Sequence, residues 1–476
     1  MTIHSLFPDP EHLGLLTDLY ELTMAAGYFA HGMADQRVTF ELWVRHLPES
    51  RNYLVCAGLE QAVHYLQHLH FSSEEIDYLR GHPVFQRVPA AWFKSLADLR
   101  FTGDLWAVSE GTVVFGEEPL LRVTGPLMEA QIVETFLITT LTMQTLVASK
   151  AARVVSVARG RPIIDFGARR AHGPQAGLLA ARAAYIGGCQ GTSNSEAGRL
   201  LGMSTLGTQA HSWVMAFDDE KEAFRKFGQV FPTATMLIDT YDTIQGVKNA
   251  LASGAAMQSV RLDSGDLLTL SREVRKILDE AGRTDVKIVA SGDLNEYKIR
   301  DLLTAGAPID LFGVGTELVT SRDEPTLSTV YKLVEQETSH GLVGRMKLSS
   351  EKKTYPFAKQ IYRTIGEDGK FKHDLIARFQ KDERGTMNDE KKAATPSDSS
   401  FIIQHSSVPG EVPAEPLLTQ ILQQGQLVRP LPSLEESRQH CLQQLAGLPD
   451  ELLDLDHHHA YPVRISPELE KATPTK

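Results

Sequence analysis

From about residue 160 to 335 the chain keeps one rhythm: a short β-branched run ending in Gly, Asp or Ser, then a helical stretch. No other feature narrows the fold as much, because strand–helix alternation forces parallel neighbours, in a barrel or an open doubly wound sheet. The runs are Pro162–Phe166, Thr205–Gly207, Met236–Asp239, Val260–Asp263, Lys287–Ser291 and Ile309–Val314. The last four recur roughly every two dozen residues, the span of a βα unit. Amphipathic stretches separate them, such as Leu268–Ala281, with Leu268, Leu270, Val274, Ile277 and Leu278 near helical spacing.

The flanks read differently. Val38–Val44 alternates as a strand with one exposed face, Val108–Val123 holds short strand runs, and Glu129–Val147 is helical, with Ile132, Val133, Phe136, Leu137 and Leu141 on one side. Strand patterns return at Met346–Leu348 and Gln360–Tyr362. Asp382–Ser400 is polar and reads as a surface loop, and a Pro- and Gln-rich tail from Pro409 ends in a helix at Leu434–Ala446. The expected architecture is α/β: an irregular βα (TIM-like) barrel over 146–340 carrying the active site, an α+β domain over 1–145, and a segment over 341–476 joining that amino-terminal domain.

Composition narrows the function. With 48 basic and 60 acidic residues the net charge is −12, 42% of residues are hydrophobic and 23% charged, so the chain is globular rather than disordered. An acidic surface repels phosphate backbones and anionic lipids, so neither nucleic acid nor a membrane is an expected partner. No apolar run approaches the ~20 residues of a bilayer span, and Met1–Pro10 lacks the pattern of a secretory signal. Cys56, Cys189 and Cys441 lie too far apart for a disulfide framework or a zinc site. A reduced, cytoplasmic protein is expected.

In a βα barrel, chemistry gathers at the carboxyl ends of the strands and the other ends serve stability. Those ends read Asp165-Phe166-Gly167-Ala168-Arg169-Arg170, Gly207-Thr208-Gln209-Ala210-His211, Asp239-Thr240-Tyr241-Asp242, Arg261-Leu262-Asp263-Ser264-Gly265-Asp266, Ser291-Gly292-Asp293 and Gly313-Val314-Gly315-Thr316. The last two turns stand where barrel phosphate sites form. Glycine lets backbone N–H groups close on phosphate oxygens, and a helix N-terminus adds its dipole. Singly, each residue has a plainer role: Asp239, Asp263 and Asp293 as helix N-caps, Arg169 and Arg170 as surface ion-pair partners, His211 as a core histidine, Cys189 as small packing. Jointly those roles fail, since capping brings no arginines beside the acids. His457-His458-His459 suggests a metal, but no cysteine or carboxylate brackets it at ligand spacing, and no metal site is expected there.

These residues fall in motifs that resemble the nicotinate phosphoribosyltransferase family. In order they are Leu15-Leu16-Thr17-Asp18-Leu19-Tyr20-Glu21-Leu22-Thr23-Met24, Asp165 to Arg170, Gly191-Thr192-Ser193-Asn194, Gly207 to Ser212, Val260 to Leu267, Ala290 to Leu294, and Gly313 to Thr316. The resemblance runs from Leu15 to about Arg363. It implies an α/β amino-terminal domain on an irregular βα barrel, and a homodimer with shared active sites. A later segment resembles the family's Lys-Leu-Ser…Pro-Gly-x-Lys-Gln run, with Phe357 where glycine is usual.

The implied reaction joins nicotinate to 5-phospho-α-D-ribose 1-diphosphate, giving nicotinate mononucleotide and diphosphate. It is coupled to ATP hydrolysis, as in a ligase, and opens NAD biosynthesis from nicotinate. Ser291, Gly292, Asp293, Gly313, Gly315 and Thr316 would hold the 5′-phosphate. Asp263 and Asp239 would meet the ribose hydroxyls and a cation-like transition state, with Mg2+ bridging the diphosphate and nearby acids. By resemblance, Phe166 and Tyr20 of the partner subunit sandwich the pyridine. Arg261 takes its carboxylate, with Thr208 beside it and Arg169 at the pocket mouth, because a guanidinium meets a carboxylate in two hydrogen bonds. Ser193 stands where the nicotinamide-using relative has an aspartate, and a neutral serine favours the acid. Quinolinate would need a second arginine cluster. His211 is the implied acceptor of the ATP γ-phosphoryl group, with His172 its near rival. A non-catalytic nucleotide-binding paralogue would lack one of these residues, and none is missing. A Schiff-base aldolase would need a lysine on an inner strand, whereas Lys287 begins its strand at the stable end.

Overall fold

The computed structural model describes residues 10–347, 354–379 and 415–473. The polar stretch 382–400 and Leu348 lie outside the described residues. Contacts divide the chain into one unit of Met1–Met143, Thr326–Pro432 and Ala446–Lys476, and a second of Gln144–Pro325 with Ser433–Leu445.

The second unit carries a six-stranded sheet in the order Gly191–Thr192, Ile163–Asp165, Leu311–Val314, Lys287–Ala290, Ser259–Leu262, Thr235–Leu237. Every pairing is parallel, giving a mixed α/β fold on a parallel half-barrel sheet. The strands are only two to four residues long, because Gly, Asp or Ser ends each apolar run. Thr205–Gly207, expected as a strand, contributes a single parallel bridge from Thr205 to Thr192. Gly191–Thr192 pairs in its place beside Ile163–Asp165. The helix Leu267–Glu280 shows how each crossover is built: Asp266 caps it by accepting from Leu268 N–H, and it buries Ser271, Val274 and Leu278 at helical spacing.

The first unit is built mainly from antiparallel strands. Seven run in the order Gly341–Gly344, Thr329–Thr338, Arg37–Val44, Pro119–Pro126, Asp104–Val108, Leu418–Gln423, Gln426–Leu427. The exposed face expected for residues 38–44 is absent, since only Arg37 of that strand reaches solvent. Its apolar face, Val38, Phe40, Leu42 and Val44, enters the core with Leu22, Ala25 and Ala26. Its polar face is buried too: Glu41 accepts from Lys359 N–H at 2.7 Å and pairs with Lys359 Nζ at 2.7 Å. The strand Thr329–Thr338 pairs with Arg37–Val44 and so belongs to this unit rather than to a barrel reaching 340. Conversely, the helix Leu434–Ala446 bonds within the second unit, where Arg438 donates to the Cys189 carbonyl and Tyr185 to Glu435. The tail does not end there; Val463–Ile465 and Pro467–Lys471 follow. Met346 lies outside any strand, whereas Gln360–Tyr362 sits within Lys359–Ile365. The expected helix over 129–147 is two helices, Leu127–Ile132 and Glu134–Val157. Phe357 adopts φ +68°, a left-handed conformation that disfavours a bulky side chain, and Arg378 stacks 3.9 Å above its ring.

Cys56, Cys189 and Cys441 are free and buried. Among the described residues no helix is long and apolar enough to cross a membrane.

Candidate active site at the strand ends

The carboxyl ends of the parallel strands, with the segment that follows Thr205, bring Phe166, Thr208, His211, Asp239, Arg261, Asp263 and Ser291 together within the second unit through hydrogen bonds, a 3.9 Å His211–Asp263 ion pair and a cation–π contact to Phe166. Arg261 is its centre. Nε donates to the Ser291 hydroxyl at 2.7 Å, Nη1 to Thr208 Oγ1 at 2.7 Å and Nη2 to Asp263 Oδ1 at 2.5 Å. The guanidinium lies 5.4 Å from the Phe166 ring centroid. Three of its five N–H donors are thereby engaged, leaving one on Nη1 and one on Nη2 without a partner among the described residues.

Asp263 also accepts from the Ser291 hydroxyl at 2.5 Å, and its Oδ2 lies 3.9 Å from His211 Nε2. Partial burial pushes its carboxyl up, but the Ser291 hydrogen bond, Arg261 and His211 outweigh it and hold the group below the ordinary carboxylate range. Asp239 orders the neighbouring turn: its Oδ2 accepts from Asp263 N–H at 2.9 Å and from the Ser264 hydroxyl at 2.7 Å. Asp239 Oδ1 is buried with no hydrogen-bond partner. A buried carboxylate oxygen in that state is costly unless a hydroxyl or a cation meets it, so the residue fits a hard cation such as Mg2+ as well as a sugar hydroxyl.

None of the three aspartates is a helix cap. The caps are Asp242, Asp266 and Asn295, two or three residues further on. His211 is not a core residue either: its side chain is 43% exposed, and Nδ1 lies 3.3 Å from Thr240 Oγ1. Arg169 and Arg170 are exposed and form no ion pair among the described residues, and His172 is exposed beside them.

Backbone geometry shapes the two glycine turns. Gly292 has φ +92°, and a Cβ there would overlap the Asp263 carbonyl; Asp293 follows at φ +46°. The Ser291 hydroxyl is committed to Arg261 and Asp263, which leaves the N–H groups of Gly292 and Asp293 for an anion. Lys298 Nζ, bonded to the Asp293 carbonyl at 2.8 Å, adds a cation beside them. Gly313 abuts Phe166, and Gly315 precedes the short helix Thr316–Val319. Ser193 is half-buried after Gly191–Thr192, its N–H donating to the Asp165 carbonyl at 2.8 Å. Asp165 anchors that corner, accepting from Gly167 N–H and the Thr192 hydroxyl, and burial raises its carboxyl despite both bonds. Tyr20 belongs to the first unit, on the helix Leu19–Ala30, and is 47% exposed.

Sequence reasoning missed Thr240, Ser264 and Lys298 as partners of the group. The first two sit inside the quoted strand-end segments, where adjacency to Asp239 and Asp263 was a usable signal.

Three family models match the chain: the nicotinate phosphoribosyltransferase N-terminal domain over residues 15–142, the nicotinate phosphoribosyltransferase family over 162–383 and the C-terminal domain over 358–473. The chain is 42% identical over 468 residues to a nicotinate phosphoribosyltransferase of Mycobacterium tuberculosis, covering 96% of this chain and 93% of that one. It is 38% identical over 469 residues to the Bacillus subtilis enzyme of that name, with the same coverage of 96% and 93%. The crystal structure of human nicotinic acid phosphoribosyltransferase superposes with a TM-score of 0.80 at 29% identity, over 96% of this chain and 99% of that one.

Proposed function

The chain belongs to the nicotinate phosphoribosyltransferase family and has that enzyme activity, and on this footing we propose how its residues divide the work and that ATP is coupled through His211. Nicotinate and 5-phospho-α-D-ribose 1-diphosphate are the substrates, and nicotinate mononucleotide and diphosphate the products. The observation that carries this reading is Arg261, which offers two unengaged N–H donors beside an aromatic face, a fit for a flat anionic ring.

In this reading Phe166 stacks on the pyridine ring, Arg261 holds its carboxylate, and Ser193 keeps the pocket free of negative charge. Thr208 and Ser291 fix the guanidinium, and Arg169 guards the mouth. The turns at Gly292–Asp293 and Gly313–Thr316 take the 5′-phosphate on backbone N–H groups. Asp263 and Asp239 hold the ribose hydroxyls and favour positive charge developing at the anomeric carbon as diphosphate departs and the pyridine nitrogen bonds to it. Mg2+, when bound, offsets diphosphate charge, and Asp239 with its unpartnered oxygen is the residue suited to hold it.

A neutral imidazole nitrogen of His211 attacks the γ-phosphorus of ATP, ADP leaves, and the nitrogen–phosphorus bond is later hydrolysed to phosphate. Thr240 orients the ring. Tyr20 completes the base pocket across a homodimer; exposed Leu19, Tyr20 and Met24 on one helix support a surface made to be covered. Closure of the half-barrel through Thr205, whose bridge to Thr192 is its first step, belongs to the same reading, as does a cytoplasmic location. Incubating the protein with nicotinate, 5-phospho-α-D-ribose 1-diphosphate, Mg2+ and ATP should yield nicotinate mononucleotide on chromatography, and nicotinamide in place of nicotinate should not. Equal turnover of both bases would contradict the Arg261 assignment.

A further inference from the structure

The histidine run 457–459 is given no task in the proposed transfer reaction, and the fold turns the carboxylate of Asp454, three residues upstream of His457, onto it. Asp454 Oδ2 lies 2.9 Å from His457 Nδ1 and 3.5 Å from His459 Nε2. The three ligand atoms all lie within 4.8 Å of one another, and His458 is outside the group. The loop that carries them is built rather than loose. Buried Asn52 places its Nδ2 3.3 Å from the Leu452 carbonyl, 3.1 Å from that of Asp454 and 3.2 Å from that of His457. Its Oδ1 accepts from His459 N–H at 2.9 Å. One side chain thus fixes the backbone at all three ligating positions.

We propose that Asp454, His457 and His459 form a binding site for a divalent transition cation of the zinc class. Two imidazole nitrogens and one carboxylate oxygen suit zinc, whereas magnesium and calcium prefer oxygen donors throughout. Tetrahedral zinc with bonds of about 2.0–2.1 Å sets its ligand atoms roughly 3.3 Å apart, and the distances of 2.9 and 3.5 Å to Asp454 bracket that separation. Three protein ligands leave a position for water, and partial exposure gives the ion a path in. The cation would staple 454–459, binding reversibly and with no part in the transfer reaction.

The test uses full-length protein without a polyhistidine tag, dialysed against a chelator and titrated with zinc chloride by calorimetry, with bound zinc counted by atomic absorption. His457→Ala is the decisive variant, because that side chain is 74% exposed and its loss leaves the core intact. Wild type should bind one more zinc per chain than His457→Ala, or bind it at least tenfold more tightly. Zinc should raise the melting temperature of wild type and of His458→Ala but not of His457→Ala, and excess Mg2+ should not compete. Wild-type zinc affinity retained in His457→Ala would place binding elsewhere, such as the stacked pair His64 and His68, and would overturn the proposal. An equal loss in His458→Ala would overturn it as well.

Discussion

Gly313 lies so close to Phe166 that a methyl group at position 313 would overlap the ring. The last parallel strand therefore sets where the Phe166 ring, the proposed wall of the base pocket, stands, and no other residue type fits without displacing it. Gly313→Ala should raise the nicotinate KM about tenfold, with a smaller effect on kcat, and lower stability by about 1–3 kcal/mol through overpacking. Steady-state kinetics and thermal melts separate the two effects. A lowered melting temperature with unchanged KM would remove Phe166 from the pocket.

Ser193 tests the charge logic of the same pocket. A carboxylate introduced at this half-buried position would repel nicotinate by a few kcal/mol. Ser193→Asp should therefore lose roughly a hundredfold in kcat/KM for nicotinate while any nicotinamide turnover holds or rises. Unchanged nicotinate kinetics would place Ser193 outside the site.

The strand ends of the second unit were legible because their signal is local: a β-branched run, then a Gly, Asp or Ser turn. What depends on distant chain was not. The polar face of Arg37–Val44 reads as solvent-exposed until Lys359, 318 residues beyond Glu41, covers it. The arginines beside the aspartates at 239 and 263 argue against a capping role, but which residues cap instead, Asp242 and Asp266, is seen only in the fold. Ser291 reads as a phosphate ligand, yet its hydroxyl bridges Arg261 and Asp263, a side-chain arrangement that no spacing encodes. Asp454 stood three residues before His457 in plain view, but their convergence depends on a loop clamped by Asn52.

Exposed Tyr20 carries the expectation of a shared site. Tyr20→Ala and Arg261→Ala proteins should each be inactive, and if the proposed dimer forms, mixing them should restore part of the activity as hybrids form with one intact site. Mass spectrometry verifies exchange. Exchange without recovery would assign Tyr20 to a role within its own subunit.

Glu21 sets a pH dependence in the first unit. It is buried on the helix Leu19–Ala30 and accepts from the Thr135 hydroxyl at 2.6 Å, from Thr135 N–H at 3.1 Å and from the Thr17 hydroxyl. Burial pushes its carboxyl from 4.5 up to about 7 against those hydrogen bonds, with Glu134 and Asp18 adding to the rise. Between those two values the unfolded chain loses a proton that the folded chain keeps. Stability should fall as pH rises through that window and stay lower above it. Glu21→Gln should flatten the fall and stabilise the protein at pH 8 by about 1–3 kcal/mol, as denaturant titrations at several pH values would register. A variant with the wild-type pH profile would assign the dependence to another group.

The proposed coupling of ATP to the strand-end group rests on His211, which lies between Thr240 and Asp263. The most direct measurement is phosphoryl transfer from γ-labelled ATP to the protein. Wild type should take up an acid-labile, base-stable label, the mark of a nitrogen–phosphorus bond, and His211→Ala should lose both the label and the stimulation of nicotinate mononucleotide formation by ATP. Slow ATP-independent transfer should survive in that variant, since the proposed mechanism assigns the anomeric chemistry to Asp263 and the base pocket. A label sensitive to His172→Ala instead would move the acceptor to the neighbouring loop. A label that persists in His211→Ala, or full ATP stimulation of that variant, would contradict the account.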